Sequence, residues 1–534
     1  MRAGEPTGSS PRPQSLSGSF IRSGAGGSMR RRERQVRNMR SAAVVGLTVV
    51  GMVGGIAGAR LERGVADDGP NEAAVASSSE TVVSTYETPS GSARPVGSEL
   101  IARTRSEDGS PVCGLGRAFH EGRRAALLAE LGDEVFVIRG LDEPRDYLKF
   151  YQDKNFWYLT GIDSPGAALV LDGRTDEEFL FLPRHDPFKE QWDGEIWDVD
   201  DAWVGELTGF EDRRPREELE SFLAERLAER PPVRIVRTPW VALAGGTDMA
   251  SPHERRQAAD PFDGRPSREK RLEEELESRY GVECADASRL LAKLRIVKEP
   301  EEIEAMRRAA RVGSAAIAEA IRCTAPERGE WELEALMSFM HERYGAAGPA
   351  YSAICASGPN NNVLHYFHSS RRMHAGELLL VDYGPDVDHY TTDITRTWPV
   401  SGKFDERQRK LYDIVLEAQQ AGIAAAKPGN GMGDVGAAIQ AVFERHGVQG
   451  MVRHAPTHYI GLEVHDVGVR GPFRPGMTLA IEPGLYDDEN GFGIRIEDVV
   501  LITDDGCEIL TREGLPVDAE GIEALAAEAG LLDR

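Results

Sequence analysis

The chain has 534 residues and a formal net charge of −25, enough length for two or three domains and an acidity that argues against a nucleic-acid-binding body. Its five cysteines (Cys113, Cys284, Cys323, Cys355 and Cys507) are odd in number and irregularly spaced, so they make neither a disulfide framework nor a zinc pattern. The charge is uneven: residues 1–40 carry nine arginines against two glutamates.

Residues 1–28 are rich in Ser, Gly and Pro and are expected to be disordered. The basic run "MRRRERQVRNMR" (29–40) precedes "SAAVVGLTVVGMVGGIAGA" (41–59), nineteen residues without a charge. A basic region, an apolar core and the small-residue ending Ala57-Gly58-Ala59 have the form of an export signal. The arginine pair is compatible with twin-arginine export. The alternative is a retained anchor, since nineteen residues just span a bilayer. Either way, the folded part is expected outside the cytoplasm, periplasmic or secreted, meeting a membrane only if 41–59 is kept. Residues 60–112, poor in large apolar side chains, read as a disordered linker.

Folded sequence begins near 113. The run "RAALLAEL" (124–131) has helical character, while "DEVFVIRG" (133–140), "GAALVLDG" (166–173) and "EEFLFLPR" (177–184) are short apolar runs of strand type. Strands alternating with helical stretches predict an α/β domain over 113–289. Within it "ASPHERRQAADPFDGRPSREKR" (250–271) is polar and reads as a surface loop or a domain linker.

A second domain is expected over 290–534. In "KEPEEIEAMRRAARVGSAAIAEAI" the residues Ile303, Met306, Ala310, Ile317 and Ile321 mark one face of a helix, with Pro300, Glu301 and Glu302 suited to its first turn. A similar helix is predicted over 405–427, with Asp405 and Gln408 at capping-box spacing and Pro428-Gly429 as its stop. This part of the chain also repeats itself. "FMHERYG" (339–345) resembles "VFERHG" (442–447), and "GELLLVD" (376–382) resembles "GMTLAIE" (476–482), one hundred residues on. Two matched pairs in the same order predict a duplicated α+β half, in which Asp382 falls on Glu482.

Asp382 and Asp393 lie in the apolar stretch "LLLVDYGPDVDHYTTDITRTWPV" (378–400), Glu482 in "LAIEPGLY" and Glu497 in "FGIRIEDVVLI". Each pair is expected on two strands joined as in a hairpin. A buried carboxylate costs several kcal/mol, on the order of that for any desolvated ion, unless it is compensated. Four of them need protons or cations, and Arg495 is the obvious nearby basic residue. Two divalent ions would balance four negative charges. Oxygen ligands suit Mn²⁺, and also Zn²⁺ or Co²⁺ if a histidine joins them. Histidines are at hand: His454, His458 and His465 in "RHAPTHYIGLEVHDVG" (453–468), and His365 in "NNNVLHY".

Together, "SGPNNNVLHY", "VDYG…TTDITRTWPV", "HAPTHYIGLEVHDVG", "IEPGLY" and "GIRIEDVVLI" resemble the aminopeptidase P branch of metallopeptidase family M24. The resemblance covers roughly 290–515 and extends through "YQDKNFWYLTGIDSPGAALVL" (151–171) to the creatinase-like domain that precedes the catalytic one in that family. It implies an α/β (α+β) protein whose catalytic domain has the pita-bread fold of two pseudo-symmetric halves. It implies metal ligands at Asp382, Asp393, His458, Glu482 and Glu497, with Asp393 and Glu497 bridging two ions. It implies that His365 and His465 contact the scissile carbonyl, that Glu482 shuttles the proton, and that His454, Tyr486 and Arg495 line the substrate pocket. Ala455 stands where the family usually has glycine. Trp157 matches an aromatic that in relatives completes a neighbouring subunit's pocket, so a homo-oligomer is implied. The implied activity is release of the first residue from peptides with proline second, by a hydroxide activated between the two metals. A Xaa-Pro dipeptidase of the same fold, or a non-catalytic binding protein on it, are the alternatives.

Overall fold

The computed structural model describes residues 110–533 apart from 145–147, 239–242 and 244, all within one compact unit, Pro89–Arg534. The expected leader with its export signal or anchor (1–59), and the linker up to 109, lie outside the described residues. Among the described residues no helix is long and apolar enough to cross a membrane.

The N-terminal part runs α1 (Arg117–Leu131), β1 (Val135–Arg139), α2 (Lys154–Thr160), β2 (Ala168–Asp172), β3 (Glu177–Leu182), α3 (Pro187–Asp193) and α4 (Ala202–Thr208). It continues with β4 (Asp212–Pro215), α5 (Leu219–Arg226), β5 (Val233–Ile235), α6 (Thr247–Ala259), α7 (Arg268–Tyr280) and β6 (Cys284–Asp286). Its strands make one sheet in the order β4-β3-β2-β1-β5-β6. The first three strands pair antiparallel, and the outer three join parallel. Alternation along β1 decides which face each residue serves. Phe136 and Ile138 pack with α1 and α2, whereas Val135 and Val137 pack with Leu219, Phe222 and Leu276 of α5 and α7.

One expectation fails here. The polar segment 250–271 is not a loop: it holds most of α6 and the start of α7, with the turn 260–267 between them. Ser267 caps α7 by accepting from the Lys270 N–H, and the helix buries Glu273 and Leu276. A helix with so little apolar surface shows no stripe in the sequence, because most of its circumference faces solvent.

The C-terminal part opens on α8 (Ser288–Arg295), a helix that contains the expected domain boundary, and α9 (Pro300–Arg322). Glu299 and Glu302 cap α9 reciprocally, and Pro300 occupies its first turn. Next come α10 (Glu330–Arg343), β7 (Gly348–Pro349), β8 (Ile354–Ser357), β9 (Leu378–Asp382), β10 (Pro385–Val387), β11 (Tyr390–Thr391) and β12 (Thr395–Pro399). The second half repeats this order with α11 (Glu406–Ala425), α12 (Met432–Arg445), β13 (Thr457–Tyr459), β14 (Thr478–Ile481), β15 (Gly484–Asp487), β16 (Phe492–Arg495) and β17 (Asp498–Ile502). β18 (Cys507–Ile509) and α13 (Ala519–Ala526) close the chain. The duplicated half is therefore a helix pair followed by three antiparallel strands: β8-β9-β12 in one sheet, β13-β14-β17 in the other. The Asp405–Gln408 capping box is present, and α11 stops two residues before Lys427-Pro428, where proline disfavours helix.

Within each half the two central strands are not joined by a simple turn. A second hairpin sits between them: β10–β11 in the first half, β15–β16 in the second. Two glycines permit the close packing around the first of these. A Cβ on Gly313 of α9 would lie 3.0–3.1 Å from Ile394, Thr392 and Pro385, and one on Gly384 would lie 1.9 Å from the Thr392 carbonyl oxygen. The two halves meet where the Glu497 N–H donates to the Thr395 carbonyl (3.0 Å) and Thr397 Oγ1 donates to the Arg495 carbonyl (3.0 Å).

Candidate metal centre

The four acids occupy equivalent places. Asp382 ends β9 and Asp393 precedes β12; Glu482 follows β14 and Glu497 precedes β17. β9 pairs with β12 and β14 with β17, so each pair of acids meets at one end of its sheet. Strand ends, not strand interiors, thus carry the carboxylates, which keeps each pleated core apolar while its edge opens on a cleft of about 520 Å³. Asp382, Asp393, His365, His454, His458, His465, Glu482 and Arg495 all line that cleft.

His458, on β13, faces the acids. Its Nε2 lies 3.5 Å from Asp393 Oδ2, 3.6 Å from Glu482 Oε1 and 3.9 Å from Glu497 Oε1. Its Nδ1 is 3.0 Å from the Tyr459 carbonyl oxygen. A carbonyl only accepts, so Nδ1 carries a proton and donates it, which turns Nε2 toward the carboxylates. Arg495 donates from Nη2 to Asp382 Oδ2 (2.6 Å), from Nη1 to the Tyr486 hydroxyl (2.9 Å) and from Nε to Thr395 Oγ1 (3.1 Å). Thr395 in turn donates to Glu497 Oε2 at 2.7 Å. The Tyr351 hydroxyl sits between Asp382 Oδ1 (2.6 Å) and Asp393 Oδ1 (2.5 Å).

Burial dominates the electrostatics. It pushes Asp382 up to about 6, helped by the Asp393 charge and opposed by Arg495. It pushes Glu482 up to about 7 against the pull of His458 and Arg495. Glu497 rises well above the carboxylate range through burial and the other three acids. Asp393 goes the other way: burial is outweighed by its hydrogen bond to His458. His458 itself reaches about 9, because Asp393 and Glu482 overcome its desolvation. One guanidinium and one imidazolium do not neutralise four carboxylates, so without further cations the cluster must hold protons.

The donor set fits divalent metal. The ligand atoms of Asp393, His458 and Glu497 lie within 4.8 Å of one another. Glu497 Oε1 is buried without any hydrogen-bond partner, and a buried orphan oxygen of this kind calls for a cation. Carboxylate oxygens plus one imidazole nitrogen suit Mn²⁺, Zn²⁺ or Co²⁺ alike.

Of the residues named from sequence, one does not reach the cleft. Trp157 is 2 % exposed, and its ring stacks on His389 at 4.2 Å in the core between the two parts. A side chain so enclosed does not complete a neighbouring subunit's pocket. The other ten positions converge, His454 through a 2.8 Å contact with the Tyr486 hydroxyl. Sequence reasoning missed Tyr351 and Thr395, which hold the acids, and Phe367, which lines the cleft and stacks on His365 at 5.6 Å. Tyr351 gave no signal, since it lies in an ordinary loop before β8. All five cysteines are free.

The chain matches Metallopeptidase family M24 over residues 304–504 and the Aminopeptidase P, N-terminal domain over 120–235. It is 31% identical to the Xaa-Pro aminopeptidase of Haemophilus influenzae, over 70% of this chain and 88% of that one. It is 30% identical to the Xaa-Pro aminopeptidase of Escherichia coli, over 76% of this chain and 97% of that one. Among solved structures it resembles the Pseudomonas aeruginosa aminopeptidase PepP with a TM-score of 0.64 and 29% identity, covering 77% of this chain and 98% of that one.

Proposed function

The chain belongs to the aminopeptidase P branch of metallopeptidase family M24, and on that premise we propose that it releases the first residue from peptides whose second residue is proline. The observation that carries this reading is the convergence of Asp382, Asp393, Glu482 and His458 on one cleft, with Glu497 buried against them and its Oε1 without a hydrogen bond. These five side chains are the residues that would hold two divalent ions. Manganese is the proposed metal, zinc and cobalt the alternatives. Bound there, the ions supply Lewis acidity and a water whose pKa is lowered toward about 7.

The chain's own residues do the remaining work. Glu482 faces the cleft beside His458 and is the proposed group that takes a proton and returns it to the leaving proline nitrogen. His365 and His465 line the same cleft and are the proposed donors to the carbonyl oxygen as it gains charge. The Arg495 fork locks Asp382 and Tyr486 together, giving the wall a fixed shape. Asp382, which lines the cleft, is the proposed partner of the peptide's free terminal amine, which would limit cleavage to one residue at a time.

Export is proposed on separate grounds: the basic run 29–40 ahead of the uncharged 41–59 supports a folded part that works outside the cytoplasm. The decisive experiment combines metal analysis with a panel of Xaa-Pro dipeptides and longer Xaa-Pro peptides. Cleavage of the longer peptides, lost in Glu482→Ala and His458→Ala proteins that still fold, is expected. Hydrolysis of dipeptides alone would make the chain a dipeptidase, and failure to bind any divalent metal would leave a binding protein on this fold.

A further inference from the structure

Lys154, on α2 of the N-terminal part, is 4 % exposed. Its Nζ donates to Asp386 Oδ2 at 2.5 Å and to the His389 carbonyl at 2.7 Å. Both acceptors belong to the β10–β11 hairpin, whose second strand leads through Thr392 into Asp393. The hairpin tip is Asp388-His389, with φ of 51° and 66°. A two-residue turn of this type needs two left-handed residues, and glycine or asparagine ordinarily supplies them. Aspartate followed by histidine is strained there, and such strain persists only where the surroundings over-determine it.

The surroundings do so mainly from the N-terminal part. Lys154 grips the stem, Trp157 stacks on the His389 ring, and Asp163 lies 3.4 Å from His389 Nε2. From α9, Arg308 pairs with Asp388 at 2.5 Å. Beyond the tip, the Thr391 N–H and hydroxyl both donate to the Gly461 carbonyl, at 2.8 and 3.0 Å, which ties the hairpin to the segment between His458 and His465. The residue beside Lys154 works on that segment too. Asn155 Oδ1 accepts from Arg295 (2.8 Å), and Arg295 also donates to Glu463 (3.1 Å) and pairs with Asp466. A methionine at 154 would fill the same space with no ion to desolvate. The chain instead buries an ammonium where it grips this hairpin.

We propose that Lys154 is a positioning residue: through it, helix α2 clamps the strained β10–β11 hairpin and so sets where Asp393 stands in the cleft. The proposal rests on the reading of Asp393 as a metal ligand. It also gives Trp157 a role within its own chain, as the stacking partner of the hairpin tip.

The test compares wild type, Lys154→Met and Lys154→Arg in the full-length protein. Binding of Mn²⁺ to chelator-treated protein is measured by calorimetry, alongside kcat and KM on a Xaa-Pro peptide. In Lys154→Met, Mn²⁺ affinity is expected to fall about 10-fold or more, as when an outer-shell partner of a ligand is lost. kcat falls with KM little changed, excess Mn²⁺ recovers part of the rate, and Lys154→Arg recovers most of both. A folded Lys154→Met protein with wild-type Mn²⁺ affinity and kcat overturns the proposal, even if its melting temperature drops. If Lys154→Met does not fold, Asp386→Asn, which keeps the partner's shape and removes its charge, is judged by the same readouts. A wild-type protein that binds no Mn²⁺, Zn²⁺ or Co²⁺ instead overturns the underlying metal-site reading, and the clamp proposal with it.

Discussion

Glu302 offers a test of the buried electrostatics that leaves the metal ligands untouched. It is 1 % exposed on α9. Oε1 accepts from the Tyr390 hydroxyl at 2.7 Å and Oε2 from the Glu299 N–H at 2.9 Å. Burial raises its pKa from the ordinary 4.5 to about 7, against the opposing pull of the Glu299 N–H and Lys298. A carboxyl whose pKa rises on folding stabilises fully below its unfolded pKa and loses that contribution as pH climbs through the folded one. A rise of this size corresponds to about 3 kcal/mol, lost between about pH 4.5 and pH 7. Glu302→Gln mimics the protonated acid. Its carbonyl can accept from the Glu299 N–H, its NH₂ can donate to the Tyr390 oxygen, and it does not titrate. The variant is therefore expected to match wild type near pH 4.5 and to exceed it by up to about 3 kcal/mol at pH 8.5. For a chain of this length that is a melting-temperature gain of about 3 °C. The assay is thermal unfolding of both proteins across that pH range. Equal melting temperatures at pH 8.5, or a gap that does not change with pH, would refute the reasoning.

Chelation should lower the melting temperature and abolish peptidase activity, and Mn²⁺ should restore both, because the four carboxylates then have their cations back; unchanged melting on chelation would count against the metal site. Tyr351→Phe removes the hydroxyl shared by Asp382 and Asp393 and should cost about 1.5–3 kcal/mol in metal-free protein, less once Mn²⁺ is bound, read from melting curves with and without the ion. Arg495→Lys keeps the charge but loses the fork that holds Asp382, Tyr486 and Thr395 at once, so kcat/KM should fall at least about 10-fold in steady-state assays on a Xaa-Pro peptide. Gly313→Ala should overpack the contact with Thr392 and Ile394 and destabilise by about 1–3 kcal/mol, again visible in the melting temperature.

Much of this was legible in the sequence because it is local. Pro300 with two glutamates starts α9, Asp405 and Gln408 cap α11, and short apolar runs mark β1, β2 and β3. The hundred-residue repeat places Asp382 and Glu482 in correspondence. The segment 250–271 was misread because a solvated helix has almost no apolar stripe to announce it.

By itself the sequence determined the chemistry: which acids and histidines exist, and that apolar flanks would bury them. Only the tertiary structure decided their partners. Lys154 and Asp386 are 232 residues apart, Arg495 and Asp382 are 113 apart, and Tyr351 reaches both Asp382 and Asp393. It also decided that Trp157 serves the interior and not a neighbouring pocket. The physical reason is that periodicity, caps and turns are set by residues a few positions apart. The compensation of a buried charge depends instead on whatever the folded chain carries to within hydrogen-bonding distance.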